Sequence, residues 1–315
     1  MAIERLGAID VLSPANVGAL ASALESLGYY RYWLTEHHSP QQSGSPMLMA
    51  AIAAASTSRL RIGTAGAMLP YYNLPRLASE TRLLRSLFPD RFEFGVINGR
   101  VRDPILHNRM LDGVPLRDYP AAIRYLMSMV TGSFSIGDED ALPTELEDFW
   151  ICSTSPSSAT LAGELGSRFA YHHYLAAGVP LAESLAIVDQ YREQWSLRRG
   201  TAPPPVVLVC YGCCAQTEWE ARERWAASIA QKGHSWPLPT TAEPRLRDRS
   251  FPCFLGSGPQ CVAQLEELAN VYGTTDIVLQ SLAPSFPQVV ESYALIAAEQ
   301  PAITPSSGMI AGPAR

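Results

Sequence analysis

Short apolar runs alternate with longer amphipathic stretches from one end of the chain to the other. The runs have the length of buried strands, and the longer stretches repeat apolar residues at helical spacing. The predicted strands are Leu6–Val11, Arg31–Thr35, Leu60–Leu69, Phe92–Ile97, Phe149–Ser153, Phe169–Tyr174, Val206–Cys213 and Asp276–Leu282. The predicted helices are Asn16–Leu27, Ser45–Thr57, Leu74–Leu87, Arg117–Val130, Ser157–Gly166, Leu181–Trp195, Glu218–Gln231, Pro259–Tyr272 and Phe286–Ala298.

The order of these elements predicts an α/β fold with a parallel sheet. Each strand is followed by a helix, and no long antiparallel hairpin interrupts the alternation. The count of strands favours a closed (β/α)8 TIM barrel over an open doubly wound sheet. Helix-end signals agree, because Ser155 precedes a helix as an N-cap does, and Gly166 and Gly273 follow helices as C-terminal glycines do.

We expect residues 1–300 to form a single barrel domain with one insertion. The proline-rich segment 232–252, which also carries the basic run Arg245–Arg249, is predicted to be an insertion loop before the last βα unit. Residues 301–315 are rich in proline, glycine and serine and are expected to form a disordered tail.

Charge and composition exclude several classes of partner. The formal charge of −6 argues against nucleic acid and anionic membranes, and no apolar run is long enough to cross a bilayer. Because the N-terminus lacks the basic-then-apolar order of a signal peptide, we expect a cytoplasmic protein. Cys210 and Cys213 have CxxC spacing, but neither a second pair nor a nearby histidine completes a zinc set, so we expect buried thiols and no metal.

Three ionisable residues, Glu36, His37 and His38, stand directly after the second predicted strand. In a parallel barrel the carboxyl ends of all strands meet at one face, which is where the chemistry of such folds lies. A histidine there can exchange protons near neutral pH. Polar residues that open a surface loop would give the same pattern. The other strand ends show no GxSxG nucleophile elbow, and no GxGxxG opens a helix.

Two further features at the same face each allow two interpretations. The hydroxyl-rich run from Ser153 to Ser158 opens a predicted helix, where free backbone N–H groups and the helix dipole favour phosphate. Plain N-capping would need only one of these hydroxyls. The small residues Ala65, Gly66 and Ala67 could let a flat ligand lie against the backbone, or they could permit tight packing between barrel layers.

Taken in order, these segments resemble the luciferase-like flavin monooxygenases, the family that includes the bacterial luciferase subunits. The resemblance runs from about residue 3 to residue 300. Segments similar to the family pattern are Leu27–His38, Ser45–Pro70, Pro75–Leu84, Asp90–Gly95, Ser157–Ala170 and Leu255–Leu268. No single segment is specific, but their order and spacing together are.

The resemblance implies a (β/α)8 barrel that binds reduced FMN at its carboxyl-end face, usually as a homodimer. It places the FMN phosphate at Thr154, Ser155 and Ser158. It places Ala65 and Gly66, often joined by a cis peptide, behind the isoalloxazine ring, and it places His173 beside the ring. His37 matches the catalytic histidine of the family, with Glu36 in a position to tune it.

One departure from the family pattern concerns the phosphate charge. Asn98 stands where luciferase has an arginine that pairs with the phosphate. Arg100, two residues on, or Arg117, at the start of the next helix, could supply the charge instead. If neither does, flavin affinity should be weak, which suits an enzyme that takes FMNH2 from a separate flavin reductase.

The implied reaction is oxygenation of a hydrophobic organic substrate by O2 through a flavin C4a-(hydro)peroxide. Hydroxylation, epoxidation and Baeyer–Villiger oxidation all remain open. Apolar walls are expected to exclude water and consist of Trp33, Met68, Phe94 and Ile97.

Tyrosines near the mouth of the barrel suggest a large substrate, for which a polyketide-type secondary metabolite would be suitable. These are Tyr71, Tyr72, Tyr171 and Tyr174. Two alternatives stay open, a deazaflavin-dependent oxidoreductase on the same barrel and a non-catalytic flavin-binding protein.

Overall fold

The computed structural model describes residues 2–10, 14–38, 44–101, 103–113, 118–132, 146–176, 179–232 and 253–300. Arg117, most of the predicted insertion loop and the predicted tail at 301–315 lie outside these residues. The predictions for those parts of the chain therefore stay predictions.

The strands form a closed barrel in which every pairing between strands is parallel. They are β1 (Arg5–Asp10), β2 (Arg31–Leu34), β3 (Arg61–Thr64), β4 (Ala67–Met68), β5 (Phe92–Ile97), β6 (Leu146–Ser153), β7 (Ser167–Tyr171), β8 (Val207–Cys214), β9 (Phe254–Gly256) and β10 (Asp276–Ser281). The ring runs β1-β2-β3-β5-β6-β7-β8-β10 and closes where β10 pairs with β1. The predicted (β/α)8 barrel is confirmed.

Two details of the sheet differ from the prediction. The predicted strand Leu60–Leu69 is divided into β3 and β4, which both pair with β5. Strand β9, which the sequence did not predict, pairs with the carboxyl end of β8. With only three residues, β9 is too short to stand out as an apolar run.

The helices cover the outside of the barrel. They are α1 (Val17–Ser26), α2 (Pro46–Ala55), α3 (Leu74–Leu87), α4 (Pro104–Leu111), α5 (Tyr119–Thr131), α6 (Pro156–Leu165), α7 (Leu181–Arg199), α8 (Glu218–Lys232), α9 (Gly258–Tyr272) and α10 (Phe286–Ala298). Among the described helices, none combines the length and apolar character needed to cross a membrane.

Helix α4 is an α-helix that the hydrophobic pattern of the sequence does not predict. It has no buried residue, so it has no apolar face from which helical periodicity could be recognised. Its start does carry a capping signal, because the Asp103 side chain accepts hydrogen bonds from the backbone N–H groups of Ile105 and Leu106. The Asp103-Pro104 pair could therefore have revealed it.

Two apolar cores lie on the two sides of the sheet. A large core fills the space between the strands and the helices. A smaller cluster fills the lumen of the barrel and consists of Ile9, Trp33, Ala65, Trp150, Cys152, Ala170, Val207, Val209 and Val278. The six cysteines are buried free thiols, as predicted.

A network of ion pairs crosses the amino-terminal end of the lumen. Arg31 on β2 is 1% exposed, and its guanidinium lies 2.7 Å from the carboxylate of Asp276 on β10 and 3.2 Å from that of Glu93 on β5. Arg61 on β3 continues the network, with contacts of 2.8 Å to Glu93 and 2.5 Å to Asp148. Buried charges need such partners, because an unpaired one is strongly destabilising.

Glycines allow β3 and β5 to approach each other closely. A Cβ atom on Gly63 would lie 2.2 Å from the carbonyl oxygen of Glu93, and one on Gly95 would lie 2.1 Å from that of Thr64. A Cβ atom on Gly66 would lie 2.8 Å from the backbone carbon of Val96. Any larger residue at these positions would push the two strands apart.

We expect Arg31→Met to destabilise the fold by about 3–5 kcal/mol at pH 7, because it leaves buried carboxylates without their partner. Burial alone would raise the pKa of Glu93, but Arg31 and Arg61 outweigh it and hold that pKa below its ordinary value. The ion pairs of Glu93 therefore stop stabilising the wild type as the pH falls through this lowered pKa. The difference in free energy of unfolding between wild type and Arg31→Met should shrink on acidification, as measured by urea unfolding at several pH values.

Arg76→Met provides the control, since Arg76 forms an exposed pair with Glu80 one helical turn away. It should change the free energy of unfolding by less than about 0.5 kcal/mol. Equal losses in the two variants would contradict a stabilising role for the lumen network.

Candidate functional site

The carboxylate of Glu36 joins three parts of the carboxyl-end face. It is 3% exposed and lies directly after β2. One oxygen lies 2.7 Å from Nε2 of His38, and the other accepts hydrogen bonds from the Met68 backbone N–H at 2.8 Å and the Tyr72 hydroxyl at 2.9 Å. Glu36 therefore fixes the end of β2 against β4 and the turn before α3.

Burial is the main influence on the Glu36 carboxyl and raises its pKa. The hydrogen bonds from Met68, His38 and Tyr72 act in the opposite direction but do not cancel the effect of burial. Because both oxygens are engaged by these three groups, the tuning of His37 by Glu36 stays a prediction.

His37 is half-buried and is held by the end of β1 through Thr35. The Thr35 hydroxyl donates to the carbonyl oxygen of Asp10 at 2.8 Å and lies 3.2 Å from Nδ1 of His37. Since the single hydroxyl proton is used on Asp10, this contact assigns the imidazole proton to Nδ1. Nε2 then carries the lone pair, the form in which a histidine accepts a proton.

The segment between β3 and β4 contains a cis peptide bond between Ala65 and Gly66, as the family resemblance implies. Ala65 belongs to the lumen cluster, so its methyl group is directed into the barrel. The missing side chain of Gly66 faces the backbone of β5 instead. Close packing of strands therefore explains Gly66, and Ala65 presents a small surface toward the lumen.

Hydroxyl groups surround the first turn of α6. Ser155 caps the helix, because its Oγ accepts from the backbone N–H of Ser158 at 3.3 Å. That Oγ lies 3.2 Å from the Oγ of Ser153, 3.3 Å from that of Ser157 and 2.9 Å from that of Ser158. Thr154, half-buried, lies beside them. Capping requires one hydroxyl, and this donor set together with the helix dipole has the chemistry that binds a phosphate.

The predicted phosphate partners after β5 are accessible to solvent. Asn98 and Arg100 are both exposed, and the intervening Gly99 lies against the side chain of Met68. Arg117 lies outside the described residues. Which cation serves a phosphate at α6 therefore stays a prediction.

The two neighbouring histidines after β7 occupy different environments. His173 is 5% exposed, and its Nδ1 lies 3.0 Å from the hydroxyl of Tyr272 on α9, so its ring packs on the helix side of the sheet. Burial lowers its pKa to about 4. His172 has the strand parity of Ala170, which lies in the lumen cluster. The structure therefore favours His172 over the predicted His173 as the histidine at the lumen.

The family resemblance points to His173 and not to His172. The period-two pattern of β7 was the available signal, because small Ala170 and then His172 fall on one face while Phe169 and Tyr171 fall on the other.

The predicted apolar walls are only partly correct. Trp33 lies in the lumen, where its ring meets that of Trp150 edge-on at 5.1 Å. Phe94 was placed wrongly, because it belongs to the core outside the barrel and packs against Phe92 and Phe149. Strand alternation is the reason, since its neighbour Glu93 is directed into the lumen.

A tyrosine attaches α4 to the rim of the site. The hydroxyl of Tyr71 accepts from the backbone N–H of Val101 at 2.7 Å and lies 2.6 Å from Nδ1 of His107 on α4. The ring of Tyr71 also meets that of His38 edge-on, at 6.1 Å. The exposed helix α4 is thus connected to the Glu36 cluster.

Comparison with known proteins agrees with this architecture. The model of a family described as luciferase-like monooxygenase matches residues 4–274. The chain is 27% identical over 305 residues to the uncharacterized protein YwcH of Bacillus subtilis. The aligned residues cover 88% of this chain and 90% of that protein.

Three solved structures share the fold. Apo-MsnO8 is 24% identical, covers 93% of this chain and 97% of that chain, and has a TM-score of 0.76. The oxygenating constituent of 3,6-diketocamphane monooxygenase from Pseudomonas putida, in complex with FMN, is 17% identical with coverage of 95% and 98% and a TM-score of 0.68. The coenzyme F420 dependent tetrahydromethanopterin reductase from Methanopyrus kandleri is 15% identical with coverage of 95% and 99% and a TM-score of 0.68.

We expect Glu36→Gln to destabilise the protein by about 1–3 kcal/mol, because an amide NH2 group replaces one of the two acceptor oxygens that His38, Met68 and Tyr72 share. A carboxyl whose pKa is raised by folding contributes stability below its unfolded pKa and loses it as the pH rises through the folded value. The difference in free energy of unfolding between wild type and Glu36→Gln, measured with urea, should therefore narrow as the pH rises.

Glu80→Gln is the matched control, because Glu80 forms only an exposed pair with Arg76. It should shift the free energy of unfolding by less than about 0.5 kcal/mol. A wild-type advantage that widens with rising pH would contradict the raised pKa of Glu36.

Proposed function

Because this chain belongs to the luciferase-like monooxygenase family and is therefore an oxidoreductase, we propose that it oxygenates a hydrophobic organic substrate with reduced FMN and O2. The observation that carries the proposal is the donor set at the start of α6, which stands at the same barrel face as His37 and the Ala65–Gly66 segment. The flavin supplies the oxygen chemistry when it is bound, and the protein supplies position, protons and exclusion of water.

The FMN phosphate is assigned to the first turn of α6, with Thr154, Ser155 and Ser158 as its hydroxyl donors. Helix N-termini favour anions through unpaired N–H groups and the positive end of the dipole. Arg100, two residues after Asn98, is the first candidate for the phosphate charge, and Arg117 is the second. Exposure of Asn98 and Arg100 suits weak affinity and delivery of reduced FMN by a separate reductase.

The ring is assigned to the lumen side of the Ala65–Gly66 segment. Ala65 offers a small surface there, and the bonds of Glu36 to Met68 and Tyr72 hold the segment in place. The apolar rings of Trp33 and Trp150 fill the lumen next to this position, and they keep water away from the reacting centre.

His37 is assigned the proton transfer that decides the course of the oxygenation. Its Nδ1 lies 3.2 Å from the Thr35 hydroxyl, and this contact orients the ring for the transfer. The substrate is proposed to be large and apolar, such as a polyketide-type metabolite. Support comes from the aromatic rim that includes the half-buried Tyr71, Tyr72 and Tyr174.

A deazaflavin-dependent oxidoreductase is the second candidate. It is favoured by the similar fold of the coenzyme F420 dependent reductase, which has the same TM-score as the FMN complex. The two candidates differ in their response to O2, since only the monooxygenase should consume it after loading with the reduced cofactor.

Assembly as a homodimer is proposed through α2 and α3. These neighbouring helices expose large apolar side chains, with Leu48 at 64%, Ile52 at 46%, Leu83 at 58% and Leu87 at 59%. If these side chains form one contiguous patch, it would have the character of a protein–protein interface.

We expect Ser155→Asp to weaken FMN binding by about tenfold or more and to leave riboflavin binding unchanged. Aspartate still caps the helix but places a negative charge beside the phosphate, which riboflavin lacks. Fluorescence titration with both flavins measures the effect.

Ser79→Asp, at an exposed position on α3, is the charge-matched control and should leave both affinities unchanged. Equal losses for FMN and riboflavin in Ser155→Asp would indicate a general distortion. Unchanged FMN affinity in Ser155→Asp would contradict the assignment of the phosphate to α6.

We expect His37→Ala to retain reduced FMN with a Kd within about twofold, because the histidine is assigned to proton transfer. Oxidation of the bound flavin by O2 should slow by about 100-fold or more, because general acid–base catalysis usually contributes at least that much. Stopped-flow absorbance under anaerobic loading measures both quantities. An unchanged oxidation rate in the variant would contradict the role of His37.

A further inference from the structure

His172 is the most unusual polar side chain near the site. It is 1% exposed, and within the part of the chain that the structure describes neither ring nitrogen has a hydrogen-bond partner. Buried side-chain polar atoms are nearly always paired in folded proteins, so a buried imidazole with two unpaired nitrogens requires an explanation. A bound ligand that completes these bonds is one.

The position of His172 relates it to the cofactor site. Its backbone N–H donates to the carbonyl oxygen of Ser153 at 3.3 Å, so it continues the pairing of β7 with β6 beside the turn into α6. Its ring is stacked with that of Tyr174 at 5.5 Å, and Tyr174 packs against the lumen cluster. His172 thus stands at the rim of the lumen, between the hydroxyl donors of α6 and the apolar interior.

The protonation state of His172 limits what it can bind. Burial lowers its pKa to about 4, so the ring is neutral at pH 7. A neutral imidazole offers one N–H donor and one acceptor nitrogen and carries no charge for a phosphate. Because its two nitrogens point in diverging directions, the ring makes one hydrogen bond to a given ligand edge, either to a carbonyl oxygen or from an N–H group. It can therefore serve a neutral edge that contains both groups.

We propose that His172 hydrogen-bonds the carbonyl and N–H edge of the pyrimidine ring of the flavin, and so orients the isoalloxazine in the lumen. This inference rests on the proposed function. The same edge occurs in deazaflavins, so His172 recognises the ring edge common to both cofactors. It leaves the choice between them to other residues.

The test combines His172→Phe with His172→Gln. Phenylalanine keeps the stacking on Tyr174 and removes both unpaired nitrogens, so the flavin-free protein should be at least as stable to heat as the wild type. Its affinity for FMN and for riboflavin should fall by about 10- to 100-fold. Glutamine retains one donor and one acceptor and should recover part of that loss. Titration with a deazaflavin in parallel separates the two cofactor classes.

Histidine nitrogen NMR provides a readout independent of turnover. The chain has six histidines, and the two nitrogen resonances of His172 should shift on addition of FMN or riboflavin to the 15N-labelled protein. His173→Phe serves as the neighbouring comparison and should lower the melting temperature, because it removes the bond to Tyr272.

The outcomes separate the two proposals. If the wild type binds neither FMN nor a deazaflavin, the proposed function fails. If the wild type binds flavin, unchanged affinity in His172→Phe would overturn the role of His172 alone. A flavin-free variant that melts well below the wild type would also overturn it, because any loss of affinity would then follow from the loss of structure.

Discussion

The closed barrel depends on the ion pairs that Arg31 makes inside it. This guanidinium, 1% exposed, bridges Asp276 on β10 and Glu93 on β5, and Glu93 in turn binds Arg61 on β3. It also lies 5.1 Å from the ring centroids of both Trp33 and Trp150. A charge in this position is tolerated only when every partner is present, which couples strands that are distant in sequence. The apolar lumen and the site are built on that base.

At the opposite end, a second buried carboxylate performs the corresponding task. Glu36 connects the end of β2 to β4 and to the turn before α3, while Gly63, Gly66 and Gly95 allow β3 and β5 to approach. These constraints fix Ala65 in the lumen and His37 in the segment after β2. The hydroxyl donors of α6 and the unpaired ring of His172 complete the face. Each belongs to a different βα unit, so only the closed barrel brings them together.

Much of this could be predicted from the sequence. Helix α3 and helix α10 have the predicted bounds, because their apolar periodicity and flanking residues are clear. Strand β9 and helix α4 were missed, since neither has enough buried residues to produce a pattern. The side of the sheet on which Phe94 and His173 lie depends on strand register, which local sequence determines only weakly. Two of the partners of Glu36, Met68 and Tyr72, are set by tertiary contacts more than 30 positions away in the sequence.

The most direct measurement is a crystal structure of the protein with bound FMN. We expect the phosphate at the first turn of α6 within hydrogen-bonding distance of Ser155 and Ser158. We expect the isoalloxazine to lie between Ala65 and His172, with His37 at its edge. A flavin bound elsewhere, or one whose phosphate is remote from α6, would contradict the assignment of the carboxyl-end face as the site of oxygenation.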